Sequence, residues 1–298
     1  DDMWNSPRIS WSPTRGRLLD GCTRRYVLEH VLSHNSSEIK KKSKKRPLGD
    51  HARRGLRDAI ISMLESWSMN EDPDFEEYRM IIHRAIIASI VSNQVIESNP
   101  HTEVDSMVKM MMHRFSLVRN APVIGRLQRL NPGLWQSVDR LQPLLLDGAR
   151  QYGAPDLIIW NGDRLTMVRI TMEMNSRQPK EAVLLELGSM ILWAERNPLI
   201  AVPVDQMDVI RIGWLGTRWV KWQRRANSKW AAESRSMIAM DIEQMAHLII
   251  FSGDIDELPR SRSKWNCRNC SFKQNCPGAV LKSSTLNLPE QKLGQQLL

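Results

Sequence analysis

The four cysteines constrain this chain most strongly, because three form a tight chelating pattern and the fourth lies far away. Cys267, Cys270 and Cys276 follow a Cys-x2-Cys-x5-Cys spacing, whereas Cys22 stands alone near the other end. A two-residue gap lets two thiolates face one centre, and the third ligand arrives from the following turn. Cys22 is the remaining thiol that could complete a four-ligand set. We therefore predict that one centre draws residue 22 next to residues 267–276.

The spacing alone leaves the identity of that centre open. Four thiolates suit a zinc ion and an iron–sulfur cluster about equally. A structural zinc site more often pairs two Cys-x2-Cys knuckles, whereas here one ligand is isolated. A disulfide is disfavoured inside a cell, where thiols stay reduced. Four unrelated buried cysteines are the remaining alternative, and free cysteines seldom cluster in this way.

The charge indicates a polyanionic partner. The 298 residues include 42 Lys and Arg against 33 Asp and Glu, a net charge of +9. Such an excess attracts nucleic-acid phosphates, although a solvated basic surface is the alternative. The expected contacts are Lys41, Lys42, Lys44, Lys45, Arg46, Arg53, Arg54, Arg57 and Arg169, with Lys221, Arg224 and Arg225 beside Trp219 and Trp222. The alternative for these two tryptophans is packing in the core.

The pattern along the chain is that of an intracellular protein of the mixed α/β or α+β class. Apolar stretches are too short for a membrane helix and the first residues lack a signal-peptide pattern, so we expect no association with a membrane and a location in the cytoplasm or nucleoid.

We predict one domain over 1–280, with a helical insertion at about 50–120 and a polar tail over 281–298. Periodicity predicts helices over 48–67, 75–98, 102–118, 180–195 and 227–251, and strands over 144–146, 156–160, 165–170 and either side of Gly216.

Two segments carry a resemblance to a known family. They are Ile9-Ser10-Trp11-Ser12 with Leu19-Asp20-Gly21-Cys22-Thr23-Arg24-Arg25-Tyr26, and Trp265-Asn266-Cys267-Arg268-Asn269-Cys270 continuing to Cys276-Pro277-Gly278. They resemble RecB-like nucleases of the PD-(D/E)XK superfamily, among them AddB subunits of bacterial recombination nucleases and adaptation nucleases of CRISPR systems. The resemblance implies a restriction-endonuclease-like core of a central sheet flanked by helices. It also implies a [4Fe–4S] staple, meaning a cluster whose four cysteine ligands join the two ends of the chain, and so favours a cluster over zinc.

The resemblance also indicates where nuclease chemistry would lie. Such enzymes hold Mg²⁺ or Mn²⁺ on two carboxylates of neighbouring strands, beside a lysine. Gly153-Ala154-Pro155-Asp156 matches the first strand, so Asp156 takes the first carboxylate position. In the second strand Arg169 replaces the acid and Thr171 the lysine. Of the positions the family uses for chemistry, Asp156 alone is retained.

A cation at Arg169 disfavours a metal ion, since two unit charges about 4 Å apart repel by about 4 kcal/mol at an effective dielectric constant of 20. We therefore expect a DNA-binding protein of repair, recombination or DNA processing, without nuclease activity, acting on DNA that includes single strands and beside a helicase or nuclease partner subunit. One alternative is a Mg²⁺- or Mn²⁺-dependent exonuclease in which Glu186 supplies the missing carboxylate to Asp156. Another is a zinc-stapled structural protein.

Overall fold

The computed structural model describes residues 9–32, 48–72, 74–93, 100–146, 148–251, 254–261, 263–268, 270–273 and 276. The chain divides into two compact units, a smaller one of 1–45, 145–151 and 236–298 and a larger one of 46–144 and 152–235. The predicted basic contacts Lys41, Lys42, Lys44, Lys45 and Arg46, and the predicted tail, lie outside the described residues. In the described ranges, no helix has the length and apolar content needed to cross a membrane.

The order of elements confirms the mixed α/β class. The strands are β1 (Ser10–Trp11), β2 (Trp135–Ser137), β3 (Leu144–Leu146), β4 (Ala149–Gln151), β5 (Leu157–Asn161), β6 (Arg164–Thr171), β7 (Met207–Leu215) and β8 (Arg218–Arg225). The helices are α1 (Pro13–Gly21), α2 (Thr23–Tyr26), α3 (Leu48–Ser68), α4 (Phe75–Asn93), α5 (Pro100–Val118), α6 (Ile124–Leu127), α7 (Glu181–Arg196), α8 (Ser228–Ile249) and α9 (Lys264–Arg268). A π-helical turn at Val27–Val31 continues α2.

A five-stranded sheet forms the centre of the larger unit, in the order β2-β5-β6-β7-β8. β6 and β7 are parallel and connected through α7, while the other neighbours are antiparallel. Gly162 and Gly216 turn the two hairpins at φ values of +61° and +62°, a backbone region that glycine enters without steric cost. The strand break predicted at Gly216 is confirmed.

One face of this sheet packs on the helices α3, α4 and α5. Val168 and Ile170 of β6 belong to that core, together with Leu56 of α3, Ile82 of α4 and Phe115 of α5. Side chains alternate along a strand, so the residue between Val168 and Ile170 faces the other side of the sheet. That residue is Arg169, and its partner across the parallel β6–β7 pair is Arg211. The alternation therefore places two arginines side by side on the face of the sheet that points away from this core.

Trp219 and Trp222 differ in their environments. Trp219 is buried in the core, and its indole nitrogen donates to the carbonyl of Arg114 at 2.9 Å. Core packing, the alternative considered for the tryptophans, is thus confirmed at Trp219. Trp222 is half-buried and packs edge-on against Trp230, whose ring lies under the guanidinium of Arg224.

In the smaller unit, β1 pairs in parallel with β4 in a three-stranded sheet of order β1-β4-β3. Ser12 caps α1 by accepting a hydrogen bond from the backbone nitrogen of Arg15, and Pro13 occupies the first turn, where a missing N–H costs nothing. Trp11 is fully buried and donates from its indole nitrogen to Asp241 Oδ2 at 2.7 Å. β1 and the second half of α8 are therefore joined by a buried hydrogen bond.

Candidate functional site

All four cysteines line one cavity of the smaller unit. Its volume is about 170 Å³, and Cys22, Cys267, Cys270 and Cys276 all contribute to its wall. Each cysteine is half-buried, and none forms a disulfide. The structure thus brings together the four residues predicted as ligands, from both ends of the sequence.

Local backbone geometry places the thiols at this cavity. Cys22 has an extended backbone, with φ −171° and ψ 102°, which ends α1 and begins α2. Cys267 lies in α9, and its carbonyl accepts the backbone N–H of Cys270 at 3.3 Å. The carbonyl of Cys270 in turn accepts from Lys273 at 3.2 Å. Cys267 and Cys270 therefore each begin a tight turn, over 267–270 and 270–273.

Burial and neighbouring thiols both affect the pKa values of Cys267 and Cys276. Burial raises the pKa of Cys267, and the neighbouring Cys22 and Cys270 raise that pKa further. Burial also raises the pKa of Cys276, with the same two neighbours contributing, while a hydrogen bond from Arg24 opposes the rise. Crowded, partly desolvated thiols are difficult to ionise together without a cation among them.

The residues around the cavity fit a bound centre with thiolate ligands. Four thiolates around zinc or an iron–sulfur core leave net negative charge, and the wall carries the basic residues Arg17, Arg25, Arg260 and Lys273. Within the described residues, no three His, Cys, Asp or Glu side chains already have metal-binding geometry. A single zinc ion would hold each sulfur at about 2.3 Å. Thiols arranged around a cavity leave room for a multi-atom cluster as well as for an ion.

Arg24 links this cavity to the segment that precedes α9. Its side chain is buried, and it donates to the carbonyl of Leu258 at 2.6 Å and to that of Asp256 at 2.5 Å. The same guanidinium hydrogen-bonds Cys276. One arginine from the amino-terminal helices thus positions the carboxy-terminal part of the cavity wall.

The larger unit contains a second site, a cluster of charged side chains around Asp156. This carboxylate is fully buried and accepts the backbone N–H of Ile170 at 2.8 Å. Arg57 of α3 lies 3.1 Å from Asp156 Oδ1, and Arg169 of β6 lies 3.4 Å from Oδ2. Arg140, between β2 and β3, lies 3.6 Å from Oδ1. Both oxygens of Asp156 are therefore already engaged by positive or donor groups.

Glu186 of α7 joins the same cluster through two of these arginines. Its Oε1 lies 3.3 Å from Nε of Arg169 and 3.7 Å from Nη2 of Arg140. Arg169 and Arg140 thus each contact both carboxylates. We name this group, consisting of Arg57, Arg140, Asp156, Arg169 and Glu186, the arginine–carboxylate cluster. Three guanidinium groups face two carboxylates in it, which leaves one surplus positive charge.

The pKa values in the cluster follow from this arrangement. Burial acts to raise the pKa of Asp156, but Arg169, Arg140, Arg57 and the Ile170 N–H together hold that pKa below its ordinary value. Burial lowers the pKa of Arg169, as does Arg140, while Asp156 and Glu186 oppose them. Guanidinium groups remain charged in proteins even so. Asp156 is therefore ionised near neutral pH and paired with these arginines.

Three more of the predicted site residues, Thr171, Arg53 and Arg54, lie in this unit. Thr171, at the expected lysine position, accepts a hydrogen bond from Nε of Arg211 at 3.4 Å, so a fourth arginine borders the site. Arg53 pairs with Asp50 and with Glu173, while Arg54 is exposed.

Sequence reasoning missed Arg140 and considered Arg57 only as a DNA contact. Arg57 lies one helical turn after Arg53, on the same face of α3. This spacing was the sequence signal that could have placed Arg57 beside the predicted site. Arg140 belongs to a segment without periodicity, and no signal in the sequence points to its contacts.

Comparison with known proteins adds little to these observations. No protein-family model and no curated protein matches the sequence. Six chains of solved structures match. One of them, described as "Crystal structure of SSO0001", is 16% identical and covers 68% of this chain and 82% of its own, with a TM-score of 0.33. A similarity of that size carries no argument about fold or function.

Proposed function

We propose that this chain binds nucleic acid through a nuclease-like core and does not cleave it. The arginine–carboxylate cluster is the observation that carries the proposal. A metal-dependent nuclease needs carboxylate oxygens that are available to a cation. Here Asp156 is surrounded by Arg57, Arg140 and Arg169, and the net positive charge of the cluster repels Mg²⁺ or Mn²⁺. The basic composition, with a net charge of +9, supports binding to a polyanion.

A second candidate is the metal-dependent DNA exonuclease with a migrated carboxylate. Its supporting observation is that Glu186 and Asp156 share Arg169 and Arg140 as partners. A metal ion between the two carboxylates would have to displace at least one guanidinium from the cluster.

The cysteine cavity supports the second part of the proposal, a [4Fe–4S] staple in the smaller unit. Cys22, Cys267, Cys270 and Cys276 would hold the cluster, and the basic wall would offset its charge. When bound, such a cluster supplies a covalent link between distant parts of the chain and a one-electron redox centre. The alternative occupant is zinc, which the same thiolates would accept.

The proposed function implies two kinds of partner. They are DNA, including single strands, and a helicase or nuclease subunit.

A combined binding and cleavage assay tests the proposed function. A labelled single- or double-stranded oligonucleotide is incubated with the protein in Mg²⁺ or Mn²⁺, and both retention and products are measured. We expect salt-sensitive binding and no products. Cleavage that disappears in Glu186→Gln but persists in Glu195→Gln would establish the exonuclease instead. Glu195 is a suitable control because it lies on the same helix and pairs with Arg235 at 2.9 Å, outside the cluster.

Metal analysis of anaerobically purified protein tests the staple separately. We expect a brown protein with iron and acid-labile sulfide, and loss of both in Cys270→Ser. Stoichiometric zinc without iron would contradict the cluster and favour the zinc-stapled alternative.

A further inference from the structure

We propose that Arg57 and Arg140 bind one backbone phosphodiester of a nucleic-acid strand, at the exposed side of the arginine–carboxylate cluster. This inference rests on the proposed function and adds a specific site to it: arginines contact the phosphate directly where a related enzyme would use a metal ion.

The distribution of burial within the cluster supports this placement. Arg169 is only 2% exposed and lies between Asp156 and Glu186, so its charge is balanced inside the protein. Arg57 and Arg140 are 29% and 28% exposed, and both contact the same fully buried Asp156. Because uncompensated charge is costly in a buried position, the surplus positive charge of the cluster belongs to these two outer arginines.

The hydrogen-bond geometry leaves donors for a ligand. Arg57 directs Nε and Nη2 at one oxygen of Asp156, at 3.2 and 3.1 Å. The contacts of Arg140 are longer, 3.6 Å to Asp156 and 3.7 Å to Glu186. Those two distances exceed the usual hydrogen-bond range, so these carboxylates attract Arg140 without using its N–H groups as donors. Among the described residues, Arg140 is therefore held by charge rather than by hydrogen bonds to these carboxylates, so its planar guanidinium can turn toward another anion.

The chemistry of the site selects phosphodiester as the ligand. A planar guanidinium fork matches two phosphate oxygens and binds them with charge-assisted hydrogen bonds. A phosphodiester carries one negative charge, which balances the one surplus positive charge of the arginine–carboxylate cluster. Inorganic phosphate offers the same oxygens and is the other source of this chemistry, so the experiment must separate the two.

Fluorescence anisotropy with a labelled 20-nucleotide single strand, repeated at several KCl concentrations, tests the site. The variants are Arg57→Gln and Arg140→Gln, each of which leaves Asp156 with two other arginines. Arg119→Gln is the matched control, since Arg119 is 29% exposed and pairs with Asp72 at 2.8 Å outside the cluster. For each cluster variant we expect about tenfold weaker binding and a salt slope reduced by about 0.7, the value for one phosphate contact on a single strand. The control should match the wild type.

Two further measurements keep the outcome decisive. Arg140→Lys keeps the positive charge but lacks the planar guanidinium, and we expect weaker oligonucleotide binding with an unchanged salt slope. This variant replaces Arg140→Gln should the latter misfold.

Thermal unfolding in sodium phosphate, compared with sodium chloride of equal ionic strength, tests whether free inorganic phosphate binds at the same site. Phosphate stabilisation of the wild type that Arg140→Gln abolishes, together with unchanged oligonucleotide binding, would overturn the nucleic-acid assignment.

Loss of the phosphodiester site and loss of the proposed function give different results in these assays. Strong oligonucleotide binding with wild-type affinity and salt slope in both cluster variants would overturn the phosphodiester site alone and leave the proposed function standing. Absence of oligonucleotide binding by the wild type, even at low salt, would overturn both.

Discussion

At the scale of single residues, the most informative side chain of the larger unit is the carboxylate of Asp156. Its side chain is fully buried, and three arginines and one backbone N–H surround it. An ionised carboxylate in such a position is stable only because its partners are present. The residue that resembles a catalytic acid in the sequence therefore also has a structural role, as the counterion of the arginines.

Replacing this carboxylate should destabilise the protein strongly. We expect Asp156→Asn to lower the free energy of unfolding by about 3–5 kcal/mol, because three guanidinium groups lose their shared counterion. Urea unfolding followed by circular dichroism measures the change. Asp72→Asn is the control: Asp72 forms a partly exposed pair with Arg119, and such pairs contribute at most about 1 kcal/mol. Equal effects of the two substitutions would contradict the structural role of Asp156.

The lowered pKa of Asp156 also predicts a pH dependence. Because its folded-state pKa lies below the ordinary value of 3.8, the stabilisation is complete only above about pH 5, where the carboxyl is ionised in the unfolded chain as well, and it is lost as the pH falls toward the folded-state pKa. The difference in unfolding free energy between wild type and Asp156→Asn should therefore shrink on acidification from about pH 5 to pH 3. A difference that grows over this range would show that the pKa is raised instead.

At the scale of helices and strands, hydrophobic periodicity identified most of the architecture. The helices predicted over 48–67 and 180–195 are observed as Leu48–Ser68 and Glu181–Arg196, with boundaries that differ by one residue. These elements could be predicted because each buries one continuous apolar stripe or face. Strand pairing could not, because the β6–β7 contact joins residues separated by a complete helix. The role of Arg140 was missed for the same reason, since its partners come from elements distant in sequence.

The approach of α7 to the beginning of α8 depends on one small residue. A Cβ at Gly188 would overlap Ser234 and lie 3.1 Å from the indole nitrogen of Trp230. We expect Gly188→Ala to lower the midpoint of urea unfolding, although alanine favours a helix by about 1 kcal/mol over glycine. Gly49→Ala is the matched control in α3, since the nearest atom there is the end of the Arg53 side chain at 3.9 Å. Stabilisation by both substitutions would contradict this close packing.

At the scale of the whole molecule, two sites in separate units support different parts of the account. The cysteine cavity supports the proposed [4Fe–4S] staple or its zinc alternative, and the arginine–carboxylate cluster supports the proposed loss of catalysis and the proposed phosphate binding. Cysteine spacing was enough to predict that distant thiols would line one site. Three clustered cysteines leave a four-ligand set one thiol short, and Cys22 is the remaining cysteine in the sequence. The sequence could not distinguish an abolished metal site from a migrated one, since that depends on where Glu186 lies relative to Arg169.

Manganese binding tests the central claim most directly, because it examines the carboxylates without requiring a substrate. Mn²⁺ prefers oxygen ligands over thiolates, and its free concentration can be followed by electron paramagnetic resonance during a titration. The account predicts no stoichiometric Mn²⁺ site in the wild type, since arginines engage both Asp156 and Glu186. One tightly bound Mn²⁺ per chain, lost in Glu186→Gln and retained in Glu195→Gln, would contradict it.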